Sequence, residues 1–434
     1  MLILKNKEQF TNYYTKACEE IKYDKGSIVD SILISCALFP DNIAININST
    51  KITYKELIIK IKECAKSLKI KGIKQNDVIS IYMNDSIEGI IMIYAANMIG
   101  AISNLINYNS DENEIFNSII STKSKMILTS IDDCEKIINI THNTHINKII
   151  ICENKGLKKE NIEKSELIIN WKEFMKLGNN FNENFYIKND YDDIAIILSQ
   201  NNKSLCFSNK NINSNAIQCR YITDFCTPGY SIYNSISIYN KYFFIVHNAV
   251  YNGLTINIDT TYNEKDLVKN IKKHDIIIGD KKLYIDIVQN DTNNNIFKNT
   301  KLCILFEDNI TNIERNNINT YLKEHGLNSN IRTAYNVTEC FGIATISREQ
   351  FIKENELGVS LPDINIKIID PDDGLELLPN EKGIIIINSP NITQGYLNDK
   401  NLNKKIIFKD KDGKMWIKTN KIGFIKENGV LFYK

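Results

Sequence analysis

Between Ile28 and Leu105 the hydrophobic period switches repeatedly between helical and extended, and few folds accept that pattern. Ile28–Phe39 reads as a helix ended by Pro40-Asp41. Ile43–Ile47 and Lys51–Thr53 read as short strands around a polar turn. Thr53, with Glu56 three residues on, has the spacing of a capping box and predicts a helix over Tyr54–Leu68, stopped by Lys71-Gly72. Val78–Tyr82 is a strand, Ser86–Ile99 a helix ended by Gly100, and Ala101–Ile106 a strand again. Alternation of this kind predicts a mostly parallel sheet covered by helices on both faces.

The pattern continues with strands at Met126–Thr129 and Lys148–Cys152, then a polar section over 153–193. Ile194–Leu198 opens a second α/β unit, with further strands expected at Tyr242–His247, Leu254–Ile258, Ile276–Ile278 and Leu302–Leu305. Ile313–Glu324 reads as a helix that Gly326 terminates. Beyond Tyr335 the texture turns to β: Asn365–Asp370, Gly383–Asn388, Met415–Lys418 and Phe424–Lys426, with turns at Asp370-Pro371-Asp372-Asp373-Gly374 and Asn428-Gly429. This reading gives blocks 1–190, 191–335 and 336–434, the last a small antiparallel sheet or distorted barrel.

At 434 residues, with 43% hydrophobic and 24% charged residues, the chain reads as a globular protein of two or three subdomains. A formal net charge of +1 with interspersed signs supplies no footprint for nucleic acid. Ten cysteines lie scattered without a Cys-x-x-Cys pair, which predicts reduced thiols and a cytoplasmic setting. His142 and His145 have a spacing that could serve a metal, but no neighbouring Cys or acidic cluster completes a site, so they read as a solvated helix end. The N-terminal MLILKNKEQF lacks the apolar core and cleavage site of a signal peptide. The most apolar stretch, Gly89 to Ile106, is interrupted by Asn97, Gly100 and Asn104, too broken to span a membrane.

Several motifs recur in one order: Phe39-Pro40-Asp41 with Ala44, Ile52-Thr53-Tyr54-Lys55-Glu56-Leu57, Ala95 to Asn107, Asn209-Lys210-Asn211, Tyr335-Asn336-Val337-Thr338-Glu339, Gly358-Val359-Ser360-Leu361-Pro362, and Gly383 followed by Gly395-Tyr396-Leu397-Asn398-Asp399. Together they resemble the large N-terminal domain of adenylate-forming enzymes (acyl-CoA synthetases, luciferases, peptide-synthetase adenylation domains). The resemblance implies two αβαβα subdomains with mostly parallel sheets plus a small C-terminal β-barrel. It implies a chemistry in which ATP and Mg²⁺ activate a small carboxylic acid to an acyl-adenylate, which passes to a thiol or carrier protein. Carried over residue by residue, Thr338 and Glu339 match the pair near the α-phosphate and Mg²⁺. A hydroxyl can donate to phosphate and a carboxylate suits a hard cation. Lys203 matches the lysine that ends the phosphate loop, Ser199 and Ser204 its hydroxyls, and Tyr335 the adenine-stacking ring. Thr419 falls at the ribose-binding motif. His247, with Phe243, Phe244 and Tyr251, would line an acyl pocket, although a buried histidine with no ligand is the favoured reading of His247 on its own.

The departures concentrate at the nucleotide. The segment IAIILSQNNKSLCFSNKNI, from Ile194 to Ile212, holds no glycine where the family carries a Gly-rich phosphate loop. Backbone N–H groups cradle phosphate only where the chain takes φ > 0 without an obstructing Cβ. Asn201 and Asn202 tolerate that region and could hold a tight turn, but one too short for a cradle. Asn336 replaces a glycine, Phe306-Glu307-Asp308-Asn309 replaces the Gly-rich adenine loop, and no acid lies between Trp416 and Ile425, where Thr419-Asn420-Lys421 meets the family's ribose-binding acid. The sequence as given ends at Lys434, so the family's C-terminal domain, with its adenylation lysine, is expected from another polypeptide if at all. The expectation is a degenerate relative with little or no adenylation activity, acting as a binding or interaction module and needing no cofactor. The alternative is an active ligase completed by a separate C-terminal domain.

Overall fold

The computed structural model describes residues 21–153, 166–181, 189–222, 225–239, 242–260, 264–290, 295–306, 310–347 and 355–433. Two sheets organise them. The first has eight strands in the order Gly395–Tyr396, Lys203–Ser208, Ile194–Gln200, Ile102–Ile106, Val78–Tyr82, Met126–Ser130, Lys148–Cys152 and Ile168–Asn170. It is parallel from Ile194–Gln200 onward, and Lys203–Ser208 runs antiparallel to both of its neighbours. The second sheet begins with the hairpin Ile43–Ile47 and Thr50–Thr53, then runs parallel through Thr255–Ile258, Ser231–Asn234, Ile276–Gly279, Leu302–Leu305 and Arg332–Asn336. At Arg332–Asn336 it turns antiparallel and continues through Ile343–Ile346, Glu356–Ser360, Leu431–Tyr433, Met415–Ile425, Gly383–Asn388 and Asn365–Ile369. The sheets therefore interleave along the chain. The early hairpin closes the edge of the second sheet, and strands 194–200, 203–208 and 395–396 complete the first.

Local chemistry explains where the helices start. Side-chain and backbone caps close reciprocally at Ser27 with Asp30, Thr53 with Glu56, Ser208 with Asn211 and Thr311 with Glu314. Two expectations are corrected. Tyr242–His247 is not a strand; Phe243–Tyr251 is a helix in which every residue is buried. A short, mostly apolar run that is buried on every side shows neither the helical nor the extended period, so its sequence does not distinguish the two. Met415–Lys418 and Phe424–Lys426 form one strand, Met415–Ile425. Its register against Gly383–Asn388 jumps from Ile384↔Ile422 to Ile386↔Lys418, so Thr419, Asn420 and Lys421 bulge opposite Ile385.

The helix Asn209–Gln218 ties these parts together. Its sequence, NKNINSNAIQ, is mostly polar, yet all its residues except Lys210 are buried. Each amide binds a different part of the chain. The Asn209 Oδ1 accepts from the Ile28 N–H at 3.0 Å and from Asn97 Nδ2 at 3.0 Å. Asn213 Nδ2 donates to the Gly26 carbonyl at 3.1 Å. Asn211 Nδ2 donates to the Pro390 carbonyl at 2.9 Å. Asn215 Nδ2 donates to the Ile343 carbonyl at 3.0 Å while its Oδ1 accepts from the Ile343 N–H at 3.3 Å. The Asn215 carboxamide leaves no room for a side chain at Gly342, where a Cβ would lie 1.9 Å from Oδ1 and φ is +114°.

Removing one such amide strands a buried backbone group. Asn215→Ala is expected to lower the unfolding free energy by about 1–3 kcal/mol, read as a shifted urea midpoint at unchanged m-value. Asn202→Gly, at an exposed turn position with φ 57°, is expected to leave the midpoint unchanged or raise it.

Candidate functional site

The segment that falls where the family carries its phosphate loop is a β-hairpin. Ile194–Gln200 pairs with Lys203–Ser208 up to the Gln200↔Lys203 rung, and Asn201 (φ 50°) and Asn202 (φ 57°) turn the chain between them. Two successive residues with positive φ make a type I′ turn, whose twist matches the flanking strands and which asparagine tolerates. The Asn202 side chain is held against the neighbouring helix Glu112–Thr122, accepting from Asn117 Nδ2 at 3.0 Å.

Ser199 and Ser204 face each other across the hairpin with hydroxyls 2.8 Å apart. Both are buried, at 4% and 8% exposure. Ser199 donates to Asn104 Oδ1 at 2.7 Å, and Asn104 Nδ2 donates to Ser80 and Ser118, each at 2.9 Å. Ser80 continues the chain to Ser124 at 2.7 Å, and Ser124 to Thr122 at 2.8 Å. These hydroxyls satisfy one another inside the protein, beneath a pocket of about 180 Å³ between the hairpin and helix Glu112–Thr122. Asn104 was visible in the sequence only as a polar interruption of an apolar run. That interruption, like Asn97 beside it, was the available signal for a buried network.

On the other edge of the hairpin the structure brings Lys203, Tyr396 and Glu339 together. Tyr396 pairs with Leu205, and its hydroxyl donates to Glu339 Oε1 at 2.9 Å. The Lys203 ammonium lies 5.9 Å from the centre of the Tyr396 ring. Burial first, and then the charge of Glu339, pushes the Tyr396 phenol well above its ordinary range. Tyr396 stood within a motif singled out in the sequence but carried no assigned role there. Thr338 is half-buried in the same turn as Glu339.

The remaining candidates lie elsewhere. Tyr335 is 4% exposed on its strand, and the carboxamide of Asn336 beside it is buried without a hydrogen-bond partner. Thr419, 5% exposed, spends its hydroxyl on the Ile385 carbonyl at 2.8 Å, the acceptor freed by the bulge. Phe306 packs edge-on to Tyr242 and Phe244 at 5.6 and 5.7 Å, while Glu307, Asp308 and Asn309 lie outside the described residues. His142 and His145 are exposed, and no group of three or more potential metal ligands exists among the described residues.

His247 lies in the buried core of its helix. It is 1% exposed, with Nδ1 3.1 Å from the Tyr94 hydroxyl and Nε2 2.9 Å from Asn213 Oδ1. Because Asn213 Nδ2 donates to the Gly26 carbonyl, its Oδ1 accepts from Nε2–H; burial favours the neutral imidazole, in which Nδ1 accepts from the Tyr94 hydroxyl. Burial depresses His247 to about 3 and His274 to about 4, whereas burial raises Asp85 to about 6.

The family model described as AMP-binding enzyme matches residues 34–397. A 4-coumarate–CoA ligase-like protein of Arabidopsis thaliana is 33% identical over 110 residues, which take in 24% of this chain and 20% of that protein. The chain is thus matched to only about a fifth of the length of that relative. Luciferin 4-monooxygenase of Photuris pensylvanica is 22% identical over 403 residues, covering 87% of this chain and 70% of that one. The crystal structure of a long-chain-fatty-acid–CoA ligase from Archaeoglobus fulgidus superposes with a TM-score of 0.85 at 19% identity, covering 97% of this chain and 86% of that one.

The buried histidines set a pH dependence. A histidine whose folded pKa lies below its unfolded value near 6.5 favours the native state while neutral, so its contribution is present above that pH and is lost on acidification. Each such group contributes a slope of at most about 1.4 kcal/mol per pH unit. Asp85 acts oppositely, since its raised pKa favours the native state below 6. Stability to urea is expected to fall from pH 6.5 to 5, and His247→Gln is expected to flatten that slope.

Proposed function

The chain belongs to the AMP-binding, acyl-CoA synthetase-like enzyme family, and within it we propose a degenerate relative with little or no adenylation activity that serves as a binding or interaction module. The observation that carries this reading is the two-asparagine turn between Gln200 and Lys203. A triphosphate needs several convergent N–H groups on a backbone it can approach closely. Here strand pairing consumes the backbone almost to the turn, and Ser199 and Ser204 are hydrogen-bonded inward.

The rest of the nucleotide site supports the same reading. Thr419 is committed to the Ile385 carbonyl with no carboxylate near it in sequence, and Asn336 places a carboxamide where a glycine would admit the nucleotide. Of the family's Mg·ATP requirements, only the metal side is met by suitable chemistry, in the Glu339 carboxylate. Each lost hydrogen bond to a charged group is worth roughly 1.5–3 kcal/mol. Losing the phosphate cradle and the ribose carboxylate together would cost on the order of 5 kcal/mol, or more than about a thousandfold in affinity. The second reading, an active ligase completed by another polypeptide, is favoured by one observation: Lys203 and Glu339 still meet at Tyr396. A small carboxylic acid and a carrier protein would then be its partners. A cytoplasmic setting belongs to the proposal; no described helix is long and apolar enough to cross a membrane.

Calorimetric titration with Mg·ATP, and separately with AMP, to millimolar concentrations separates the two. No heat and no thermal stabilisation is the expected result. Binding that Glu339→Ala abolishes would overturn the proposal in favour of the ligase.

A further inference from the structure

Two neighbouring helices turn aliphatic side chains outward. Of the ten large hydrophobic side chains exposed among the described residues, four lie on Ile28–Leu38 and Tyr54–Ile70: Ile34 at 58%, Leu38 at 65%, Ile59 at 45% and Ile70 at 40%. Exposed aliphatics scattered singly need no explanation, but four gathered on two helices do. The helices adjoin. The Lys55 N–H donates to the Pro40 carbonyl at 2.9 Å and the Tyr54 N–H to the Asn42 carbonyl at 3.0 Å, which ties the chain leaving the first helix to the start of the second. Burial pushes the Cys36 thiol of the first helix up to about 11 and the Lys62 charge opposes it, so Lys62 stands beside that helix.

The helical period assigns the side chains of Tyr54–Ile70 to faces. Leu57, Ile61, Ala65 and Leu68 are buried, and steps of three and four from Ile59 reach Lys62, Lys66 and Ile70 on the opposite side. The outer stripe therefore reads aliphatic, lysine, lysine, aliphatic. Residues 54–74 carry seven lysines against two glutamates, a net +5 in a chain whose formal total is +1. One of the two glutamates, Glu56, is engaged in the capping box.

We propose that this face docks on an anionic lipid bilayer surface, with Ile34, Leu38, Ile59 and Ile70 entering the headgroup boundary and the lysines meeting the lipid's negative groups. Lysine suits that place, because its stem lies along apolar material while the ammonium reaches out to the headgroups. Charge complementarity selects the occupant. An anionic bilayer offers an apolar layer and a dense negative charge at a fixed depth above it. A nucleic acid offers the charge without an apolar layer, and a second copy of this chain would set the same lysines against one another. Side chains on a rigid fold insert shallowly, so the binding is reversible and weakens as salt screens it. The stripe lies outside the segments matched to the nucleotide site, and the inference does not rest on the nucleotide reading.

The full chain is floated with vesicles of phosphatidylcholine alone and of a phosphatidylcholine–phosphatidylserine mixture, at low and at high salt. Binding to the mixed vesicles only, released by salt, is the expected result. Lys62→Gln with Lys66→Gln is expected to weaken it about thirtyfold, about 2 kcal/mol for two lysines. Ile34→Ser with Leu38→Ser replaces side chains that are more than half exposed and is expected to weaken it at least about fivefold at an unchanged urea midpoint. Equal partition onto both kinds of vesicle, or onto neither, overturns the inference, as does mixed-vesicle binding that survives either pair of substitutions. A short duplex RNA is expected to leave vesicle binding unchanged. An RNA that displaces the chain from vesicles, and whose own binding the lysine pair abolishes, would make this a nucleic-acid surface and overturn the inference.

Discussion

The architecture depends on burying a polar helix. A carboxamide moved from water to an apolar interior without partners costs free energy, so the helix Asn209–Gln218 is tolerable only because its amides are met by groups from distant segments. Those partners include Gly26 and Ile28 at the start of the described chain, Ile343 in the second sheet and Pro390 near the strand that closes the first. One helix thereby fixes the mutual placement of both sheets and the β-rich end. Apolar contact would hold these parts together, but hydrogen bonds with directional partners specify where each must sit.

The same helix explains how the fold accommodates so short a loop. Ser208 is the last residue of strand Lys203–Ser208 and also the N-cap of the buried helix. The hairpin is thus anchored at its far end by the cap and along its length by pairing with Ile194–Gln200 and Gly395–Tyr396. A loop joining two paired strands adds little to their stability, so a turn of only two asparagines is compatible with an intact sheet. Phosphate binding has no such reserve, since it depends on where individual N–H groups of that loop point. Fold and phosphate contact would thus be carried by different atoms of the same segment, and the proposed loss falls on the second set alone.

Sequence made the local features plain and the long-range ones nearly invisible. Val78–Tyr82, Lys148–Cys152, Leu302–Leu305 and Gly383–Asn388 carry the strand pattern within themselves, and the Thr53–Glu56 capping box spans four residues. Phe243–Tyr251 was misread because a uniformly buried segment has no amphipathic period to display. The bulge at Thr419 was missed because it is a property of two strands, and one strand alone reads as broken. Asn215 meets Ile343 across 128 residues, and nothing local marks either as the other's partner. The candidate site divides in the same way. The asparagine turn followed from residue conformational preference, while the contact between Tyr396 and Glu339 required the strand pairing that unites them.

That contact changes what the survival of Glu339 implies. A carboxylate kept at a family position invites the conclusion that its metal is kept as well. Yet the reasons for keeping a half-buried acid include its neighbours, and here a phenol fixed by Asn403 answers it directly. Replacing Glu339 with an apolar residue would leave the Tyr396 hydroxyl in a partly buried setting without its acceptor, a loss of about 1–3 kcal/mol whatever the protein does with nucleotides. Structural need is therefore sufficient to hold both residues in place. Evidence for nucleotide chemistry has to come from groups with no such internal partner, and Ser199, Ser204 and Thr419 each have one.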